Sequence, residues 1–258
     1  MIKDNSQKPN LHTYFGKEVI NKQDKEDRVR SVFDSVASKY DLMNDIMSLG
    51  AHRIWKNALI RSLQPHSNWS VLDVAGGTGD IGIRLAKKIQ EKEISGKVTI
   101  CDINEAMITY GRDTAINNGI INNINWVSGN AEQLPFPDMH FDAYTIAFGL
   151  RNVTNIEVAL QEAKRVLRPG GIFACLEFSH VTNRALTKLY DHYSFSVLPR
   201  IGQIVANNKE AYEYLVNSIR KFPNQGKLSQ MINDTGLKQV KYKNLSGGIA
   251  AIHNGWRL

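Results

Sequence analysis

The sequence feature that most constrains the fold is a regular alternation of short apolar runs with helical patterns between residues 70 and 178. Five apolar runs have the length of strands, and three amphipathic stretches between them have helical spacing. The predicted strands are 70–75, 97–102, 123–128, 141–148 and 171–178, and the predicted helices are 80–90, 105–118 and 155–167. Strands that alternate with helices form a parallel sheet with helices on both faces. Ligands of such sheets bind beyond the carboxyl ends of the strands.

The flanking segments add helices at both ends of this core. Apolar spacings predict helices over 24–40 and 51–63 before the core, and an aromatic-rich helical stretch over 185–221 after it. A further helix near 225–235 precedes two apolar runs joined at Ser246-Gly247, a hairpin signal that predicts an antiparallel edge pair. The predicted organisation is a flexible lead (1–22) and one domain (23–258), with N-terminal helices (23–64), a core (68–180), a helical lid or insertion (181–236) and a C-terminal strand pair (237–258).

Composition narrows the class of protein further. A chain of 258 residues with 42% hydrophobic content is long enough for one α/β domain with a full core. Its only cysteines, Cys101 and Cys175, fall in runs that read as buried strands, so we expect a reducing compartment and no metal site. No apolar window approaches the length of a signal core or a spanning helix.

The net charge of +7 is concentrated at the C-terminus, since residues 181–258 hold 11 Lys and Arg against 4 Asp and Glu. A basic surface of this kind either is an ordinary solvated face or steers the protein toward nucleic acid or an anionic bilayer. We therefore expect a cytoplasmic protein, with peripheral contact at the inner face of the cytoplasmic membrane as the alternative.

A glycine-rich turn, VLDVAGGTGDIG, follows the first core strand and contains a literal match to G-x-G-x-x-G. Such glycines allow a tight turn and a close approach of the backbone to a ligand. Asp102 ends the second core strand, where a carboxylate can accept both hydroxyls of a ribose. Nicotinamide enzymes and S-adenosylmethionine enzymes share both features, and the glycines could also serve only the turn.

Three further features resemble the class I S-adenosylmethionine-dependent methyltransferases. The first is an acidic residue, Asp73, before the glycine turn. The second is the stretch GNAEQLPFPDMHFDAY, which resembles the adenine-binding loop and central strand of that class. The third is the stretch ALQEAKRVLRPGG, which resembles its helix before the fifth strand. The resemblance implies a Rossmann-like fold with a seven-stranded, mostly parallel sheet, an antiparallel edge pair, extra N-terminal helices and a helical insertion before the last two strands. It implies S-adenosyl-L-methionine as methyl donor. The implied cofactor-binding residues are Asp73, Gly76, Gly77, Thr78, Gly79, Asp102, Ile103, Asn130, Ala131 and Ala147.

Two longer stretches resemble the ubiquinone/menaquinone biosynthesis C-methyltransferases. They are VFDSVASKYDLMNDIMSLGAHRIWK and FGLRNVTNIEVALQEAKRVLRPGG. The resemblance continues through LEFS, LVNSIRKFPNQ and GGIAAIHNGW, and it implies methylation of a ring carbon of a polyprenylated hydroquinone. The acceptor would be the methoxy-benzoquinol precursor of ubiquinol, demethylmenaquinol, or both. Ala147 departs from the family, which often has serine there, so one hydrogen bond to the cofactor of about 1 kcal/mol would be absent or replaced by water.

The reaction requires an aligned methyl group and an activated ring carbon, since the methyl sulfonium is already an electrophile. Alignment alone lowers a barrier by about 7 kcal/mol or more. A ring hydroxyl with a pKa of about 10 needs an acceptor or a nearby cation to shift charge toward the ring. We predict that Arg151 orients a water or stabilises this charge and that Asn152 holds the water or the ring oxygen. The alternative is that both only cap and pair locally.

Three other groups of side chains are candidates near the site. Tyr40 and Asp41 face the cofactor cleft by resemblance, or they are a packed tyrosine and a helix-ending turn. His52 is the best titratable alternative as a proton acceptor, or it caps or packs the second helix. Met43 and Met47 are core or lid residues, or they contact an isoprenoid tail.

Single features of the sequence also suggest three other functions. A nicotinamide oxidoreductase would use the glycine turn for pyrophosphate, and an RNA methyltransferase would use the basic C-terminus, but no RNA-binding module or catalytic motif of that class occurs. A non-catalytic scaffold in a quinone-synthesis complex would keep the fold without the reaction. We expect a quinol substrate, no nucleic acid, and a homodimer or such a complex as further partners.

Overall fold

The structure is a computed structural model. It describes residues 12–15, 18–21, 24–25, 27–31, 45, 48–66, 68–90, 96–120, 122–182 and 209–258. Nine strands run as β1 (His12–Phe15), β2 (Glu18–Asn21), β3 (Ser70–Val74), β4 (Lys97–Asp102), β5 (Ile124–Ser128), β6 (Phe141–Ala147), β7 (Leu167–Phe178), β8 (Lys238–Leu245) and β9 (Ala250–Trp256) in this part of the chain. The α-helices there are α1 (Ala51–Leu63), α2 (Asp80–Gln90), α3 (Glu105–Asn117), α4 (Ile156–Val166), α5 (Lys209–Lys221) and α6 (Gln225–Asp234). Single 3-10 turns lie at Leu150–Asn152 and Ser246–Gly248.

Strands β3 to β9 form one seven-stranded sheet in the order β5-β4-β3-β6-β7-β9-β8. The first five strands in that order pair in parallel. Strand β9 runs antiparallel to both β7 and β8, so the predicted edge pair is confirmed. The strand order reverses between β3 and β6, which is where an open α/β sheet leaves a crevice for ligands.

Both faces of the sheet are covered by helices, as the alternating pattern predicts. On one face, Leu59 of α1, Leu85 of α2 and Ile219 of α5 join a buried cluster with the sheet. On the other face, Leu160 of α4 and Leu228 of α6 do the same. Strands buried on both sides must be apolar along their whole length, which explains the continuous apolar runs of the sequence.

Helix α2 lies unusually close to the sheet at Gly82. A Cβ atom at this position would lie 2.4 Å from Cγ1 of Ile100 on β4. No side chain fits that distance, so the third glycine of the GTGDIG turn allows α2 to pack closely on the sheet.

Two regions differ from the sequence-based expectation. Within the lead predicted to be flexible, β1 and β2 pair as an antiparallel hairpin, because HTYF and EVIN are strand-prone runs that supply each other's backbone partners. Strand β7 begins at Leu167, four residues earlier than predicted. Its Pro-Gly-Gly segment forms an irregularity between the paired residues Leu167 and Ile172, with Gly170 at a φ of 82°. Two hydrogen bonds hold this segment to the chain directly after the last strand, because Gly170 N–H donates to the Arg257 carbonyl and Arg257 N–H donates to that of Gly171.

The helical segments at both ends of the core are described only in part. Residues 27–31 are helical, in agreement with the predicted helix 24–40, and α5 covers the end of the predicted helical stretch 185–221. Residues 32–44 and 183–208 lie outside the described residues. Within the described ranges, no helix combines the length and the apolar character that crossing a membrane requires.

Candidate active site

A cleft of about 820 Å³, counting its open mouth, lies at the carboxyl ends of β3, β4, β5 and β6. The residues that line it come from the loops after these strands and from the N-terminal helical segment 27–31. They are Val29, Arg30, Ala75, Gly77, Asp102, Ile103, Asn104, Met107, Gly129, Asn130, Ala131, Glu132, Phe148, Gly149, Asn152, Val153 and Thr154.

The floor of the cleft is organised by the carboxylate of Asp102 at the end of β4. One oxygen accepts a hydrogen bond from Gly77 N–H at 2.7 Å, and the other accepts one from Asn104 N–H at 2.8 Å. Gly77 has a φ of 56°, a left-handed conformation that favours glycine. Burial raises the pKa of Asp102, and these backbone N–H groups oppose the rise. A fixed acceptor therefore faces the cleft beside a backbone that a ligand can approach closely.

Asp73, which the sequence assigns to cofactor binding, turns its carboxylate away from this floor. Its two oxygens accept from the Thr145 hydroxyl at 2.7 Å and from Gly82 N–H at 3.0 Å. The side chain thus ties β3 to β6 and to the start of α2. Complete burial raises the pKa of Asp73 to about 7, although both hydrogen bonds lower it.

The raised pKa of Asp73 predicts a pH-dependent stability. The pKa is about 7 in the folded chain and about 3.9 in an unfolded one. The group's contribution to stability is therefore complete below pH ~4 and is lost as the pH rises through 7, by about 3 to 4 kcal/mol. In urea unfolding between pH 5 and 8, Asp73→Asn is expected to lack this loss, so its stability relative to the wild type rises with pH. Asp113→Asn, at an exposed position of α3, is the control, and parallel curves for all three proteins would contradict the assignment.

The turn after β6 forms a wall of the cleft with Phe148, Gly149 and Asn152. A Cβ atom on Gly149 would lie 2.4 Å from that of Ala75, so only glycine lets this turn lie against the loop after β3. Arg151 points behind the wall instead of into the cleft. Its Nη1 donates to Glu177 Oε1 at 2.8 Å and also to the Phe148 carbonyl, and both ionic side chains are 1% exposed.

The Arg151–Glu177 pair is held by further hydrogen bonds from the main chain. Glu177 also accepts from the backbone N–H groups of Arg151 and Phe178. Burial raises the pKa of Glu177, and the guanidinium opposes that rise. The Nε of Arg151 is buried and has no hydrogen-bond partner among the described residues. The positive charge is therefore fixed immediately beneath the turn that lines the cleft.

A second group of contacts closes the cleft from the N-terminal side. Lys25 donates from Nζ to the Val153 carbonyl at 2.9 Å, and Thr154 N–H donates to Glu132 at 2.9 Å. Asn130 accepts from Glu132 N–H at 2.8 Å. These bonds join Lys25, the turn after β6 and the loop after β5.

The structure places His52 apart from the cleft. Its Nε2 lies 2.8 Å from Asp45 Oδ1, its ring is buried on α1, and it is not among the lining residues. Burial lowers the pKa of His52, while Asp45 raises it. This location favours the interpretation that His52 packs its helix over the interpretation that it accepts a proton in the reaction. Tyr40, Asp41, Met43 and Met47 lie outside the described residues, so their roles stay predictions.

Six of the residues expected at the site line the cleft. Those that line it are Gly77, Asp102, Ile103, Asn130, Ala131 and Asn152. Gly76, Thr78 and Gly79 belong to the turn beneath the cleft, where a Cβ on Gly79 would lie 2.5 Å from the Trp126 ring. Ala147 packs against the core.

The sequence-based assignment missed Glu177 and Asn104. An acidic residue inside the apolar run IFACLEF was a usable signal for a buried partner of a cation, since a buried carboxylate is rare unless it is paired. Asn104 was also detectable, because asparagine is a favoured N-cap residue and Asn104 stands directly before the predicted helix 105–118. In the structure it caps α3, and its side chain accepts a hydrogen bond from the backbone N–H of Met107 at 3.0 Å.

Comparison with known proteins adds to this geometry. Residues 21–257 match the model of the ubiE/COQ5 methyltransferase family. The 2-methoxy-6-polyprenyl-1,4-benzoquinol methylase, mitochondrial, of Dictyostelium discoideum is 48% identical, with 96% of this chain and 87% of that protein covered. The ubiquinone/menaquinone biosynthesis C-methyltransferase UbiE of Bartonella tribocorum is 52% identical, with 95% and 94% covered. Among solved structures, a SAM-dependent methyltransferase from Thermotoga maritima shares the fold with a TM-score of 0.60 at 18% identity, with 88% of this chain and 99% of that chain covered.

Proposed function

Because this chain belongs to the ubiE/COQ5 methyltransferase family, we propose that it transfers a methyl group from S-adenosylmethionine to a ring carbon of a polyprenylated hydroquinone. The acceptor is 2-polyprenyl-6-methoxy-1,4-benzoquinol, demethylmenaquinol, or both, in line with the names of its relatives. The observation that carries the proposal is that Asp102 and Asn152 line the same cleft, with the charge of Arg151 fixed behind its wall.

The residues of the cleft fit the methyl donor. Asp102 keeps acceptor capacity after its two backbone hydrogen bonds, because a carboxylate has about four lone-pair sites. It would hold the ribose hydroxyls, and the loop with Asn130 and Ala131 would hold the adenine. The left-handed backbone at Gly77 would allow close approach of the amino-acid part. When bound, S-adenosylmethionine supplies a methyl group on a positively charged sulfur, which is already electrophilic.

The chain's own residues prepare the acceptor ring. Loss of the ring hydroxyl proton leaves negative charge on the oxygen, and the ring carbon becomes more nucleophilic as this charge develops. Asn152 lies in the wall where it would orient that oxygen. An arginine side chain stays protonated in proteins, so Arg151 acts as a fixed positive charge and not as the base. Such preorganised charge is worth more in a site that excludes water.

The experiment that tests the proposal is methyl transfer to defined acceptors. Short-chain demethylmenaquinol and demethyl-methoxybenzoquinol, each kept reduced, are incubated with the purified protein and S-adenosylmethionine. Mass spectrometry is expected to show a gain of one methyl on ring carbon, reduced at least 100-fold in Arg151→Ala. Protein that binds S-adenosylhomocysteine but methylates neither ring would favour the scaffold or another acceptor. Preferential binding of NADH would support an oxidoreductase instead.

We also propose that the protein works at an anionic membrane surface. The isoprenoid tail of the substrate resides in a bilayer, and the basic excess of residues 181–258 is of the sign that such a surface attracts. Cosedimentation with phosphatidylglycerol vesicles at low salt tests this contact, and protein that stays in the supernatant would remove it. A homodimer and a quinone-biosynthesis complex stay predictions.

A further inference from the structure

Helix α5 contacts the wall of the cleft through Tyr214. This helix packs against the turn Leu150–Asn152. The Tyr214 hydroxyl donates a hydrogen bond to the Asn152 side-chain carbonyl at 3.1 Å. The two residues are 62 positions apart in the chain, so the contact belongs to the tertiary structure.

The ring of Tyr214 is held firmly on its other sides. It is 5% exposed and packs in a small apolar cluster with Ile20 of β2 and with Val29. Val29 itself lines the cleft. The hydroxyl is thus a fixed donor, set by the hairpin, the N-terminal helical segment and α5 together.

The hydrogen bond decides which end of the Asn152 amide faces the cleft. An asparagine amide has a carbonyl that only accepts and an NH₂ group that only donates. Its carbonyl is engaged by Tyr214, and within the described part of the chain no acceptor pairs with its nitrogen. The NH₂ group is therefore the end that remains for a ligand. A donor stabilises an oxygen that gains negative charge, whereas a carbonyl would repel it.

We infer that Tyr214 is a positioning residue that holds the Asn152 amide with its NH₂ group toward the developing ring oxyanion. The inference rests on the proposed function for the identity of the acceptor. Among the described residues, the charged groups near the Tyr214 hydroxyl are Arg151 and Glu177, and burial raises the pKa of Tyr214 to about 12, so the hydroxyl keeps the proton that it donates to the amide carbonyl.

The test compares kinetics of Tyr214→Phe with those of Tyr144→Phe, which removes the hydroxyl of another buried tyrosine that stacks on Phe173 in the core. Tyr214→Phe is expected to lower kcat about tenfold, the equivalent of about 1.4 kcal/mol. KM for the quinol, affinity for S-adenosylhomocysteine and Tm should change little. Tyr144→Phe should keep the wild-type kcat. A Tyr214→Phe enzyme with unchanged kcat would overturn the inference.

A double-mutant cycle separates positioning from a general structural role. If Tyr214 acts through Asn152, Tyr214→Phe should change kcat less than twofold in an Asn152→Ala background. Additive effects would mean that Tyr214 acts elsewhere. If the wild type methylates neither quinol, the proposed function fails separately. The inference is then decided by the ¹⁵N NMR signal of the Asn152 side-chain amide, which must shift in Tyr214→Phe and stay in place in Tyr144→Phe.

Discussion

The Glu177→Gln variant is expected to lose about 3 kcal/mol or more of unfolding free energy and to methylate at least 100-fold more slowly. The substitution keeps the size of the side chain but leaves the Arg151 guanidinium buried without its counter-charge. It also weakens an acceptor of the backbone N–H groups of Arg151 and Phe178. Urea unfolding measures the first effect, and single-turnover methylation of a short-chain quinol measures the second.

A second variant distinguishes the stability effect from the chemical one. Replacing a complete buried ion pair is often neutral for stability, whereas removing one partner is costly. The double variant Arg151→Met with Glu177→Gln is therefore expected to recover most of the unfolding free energy, because no unpaired charge remains, and to stay inactive. If the double variant regained activity with its stability, the cation beneath the wall would have no role in the reaction. If Glu177→Gln cost less than 1 kcal/mol, the pair would not matter for folding.

Removal of the Asp102 carboxylate is expected to weaken binding of S-adenosylhomocysteine at least 100-fold. Hydrogen bonds to a charged group are worth about 1.5 to 3 kcal/mol each, and the proposed contact involves two ribose hydroxyls. The substitution also takes an acceptor from the backbone at Gly77 and Asn104, so the floor of the cleft loses its fixed shape. Isothermal titration calorimetry of Asp102→Ala measures the affinity directly.

Two companion variants make this result specific. Asp102→Asn keeps one acceptor oxygen and the size of the side chain, so it should bind more tightly than Asp102→Ala, while its NH₂ group loses one of the two backbone N–H bonds. Asp113→Asn removes a carboxylate from the exposed side of α3 and should bind as the wild type does. Wild-type affinity in Asp102→Ala would show that the ligand lies elsewhere in the cleft.

The core elements were predictable because each has a strong local pattern. Helix α2 matches its predicted span, and β3, β4 and β5 agree to within one residue at each end. The hairpin β1–β2 was not predicted, since its short strands gain stability only from each other. The start of β7 was also missed, because the irregular segment around Gly170 is held in place by hydrogen bonds with Arg257, 87 positions later in the chain. The apolar periodicity of a segment does not identify a hydrogen-bond partner that lies far away in the sequence.

The site was predictable where its residues follow strand ends, and less so where partners come from distant segments. Asp102 is the last residue of β4, and Asn152 ends the short turn that follows β6, so the topology of the sheet brings both to one cleft. Asp73 has the same local signal, but its carboxylate is engaged by Thr145 and Gly82. The orientation of an acidic side chain depends on such contacts, which short motifs do not encode.

The two cysteines allow opening of the core to be measured in the unmodified protein. Cys101 and Cys175 lie on β4 and β7 with fully buried side chains. Burial raises the pKa of Cys101 to about 12 and that of Cys175 well above its usual value. Since the thiolate is the reactive form, alkylating reagents can modify these thiols only when the sheet separates from its helices. The rate of maleimide labelling therefore measures sheet opening in the unmodified protein, and an introduced surface cysteine would accept a spectroscopic probe selectively.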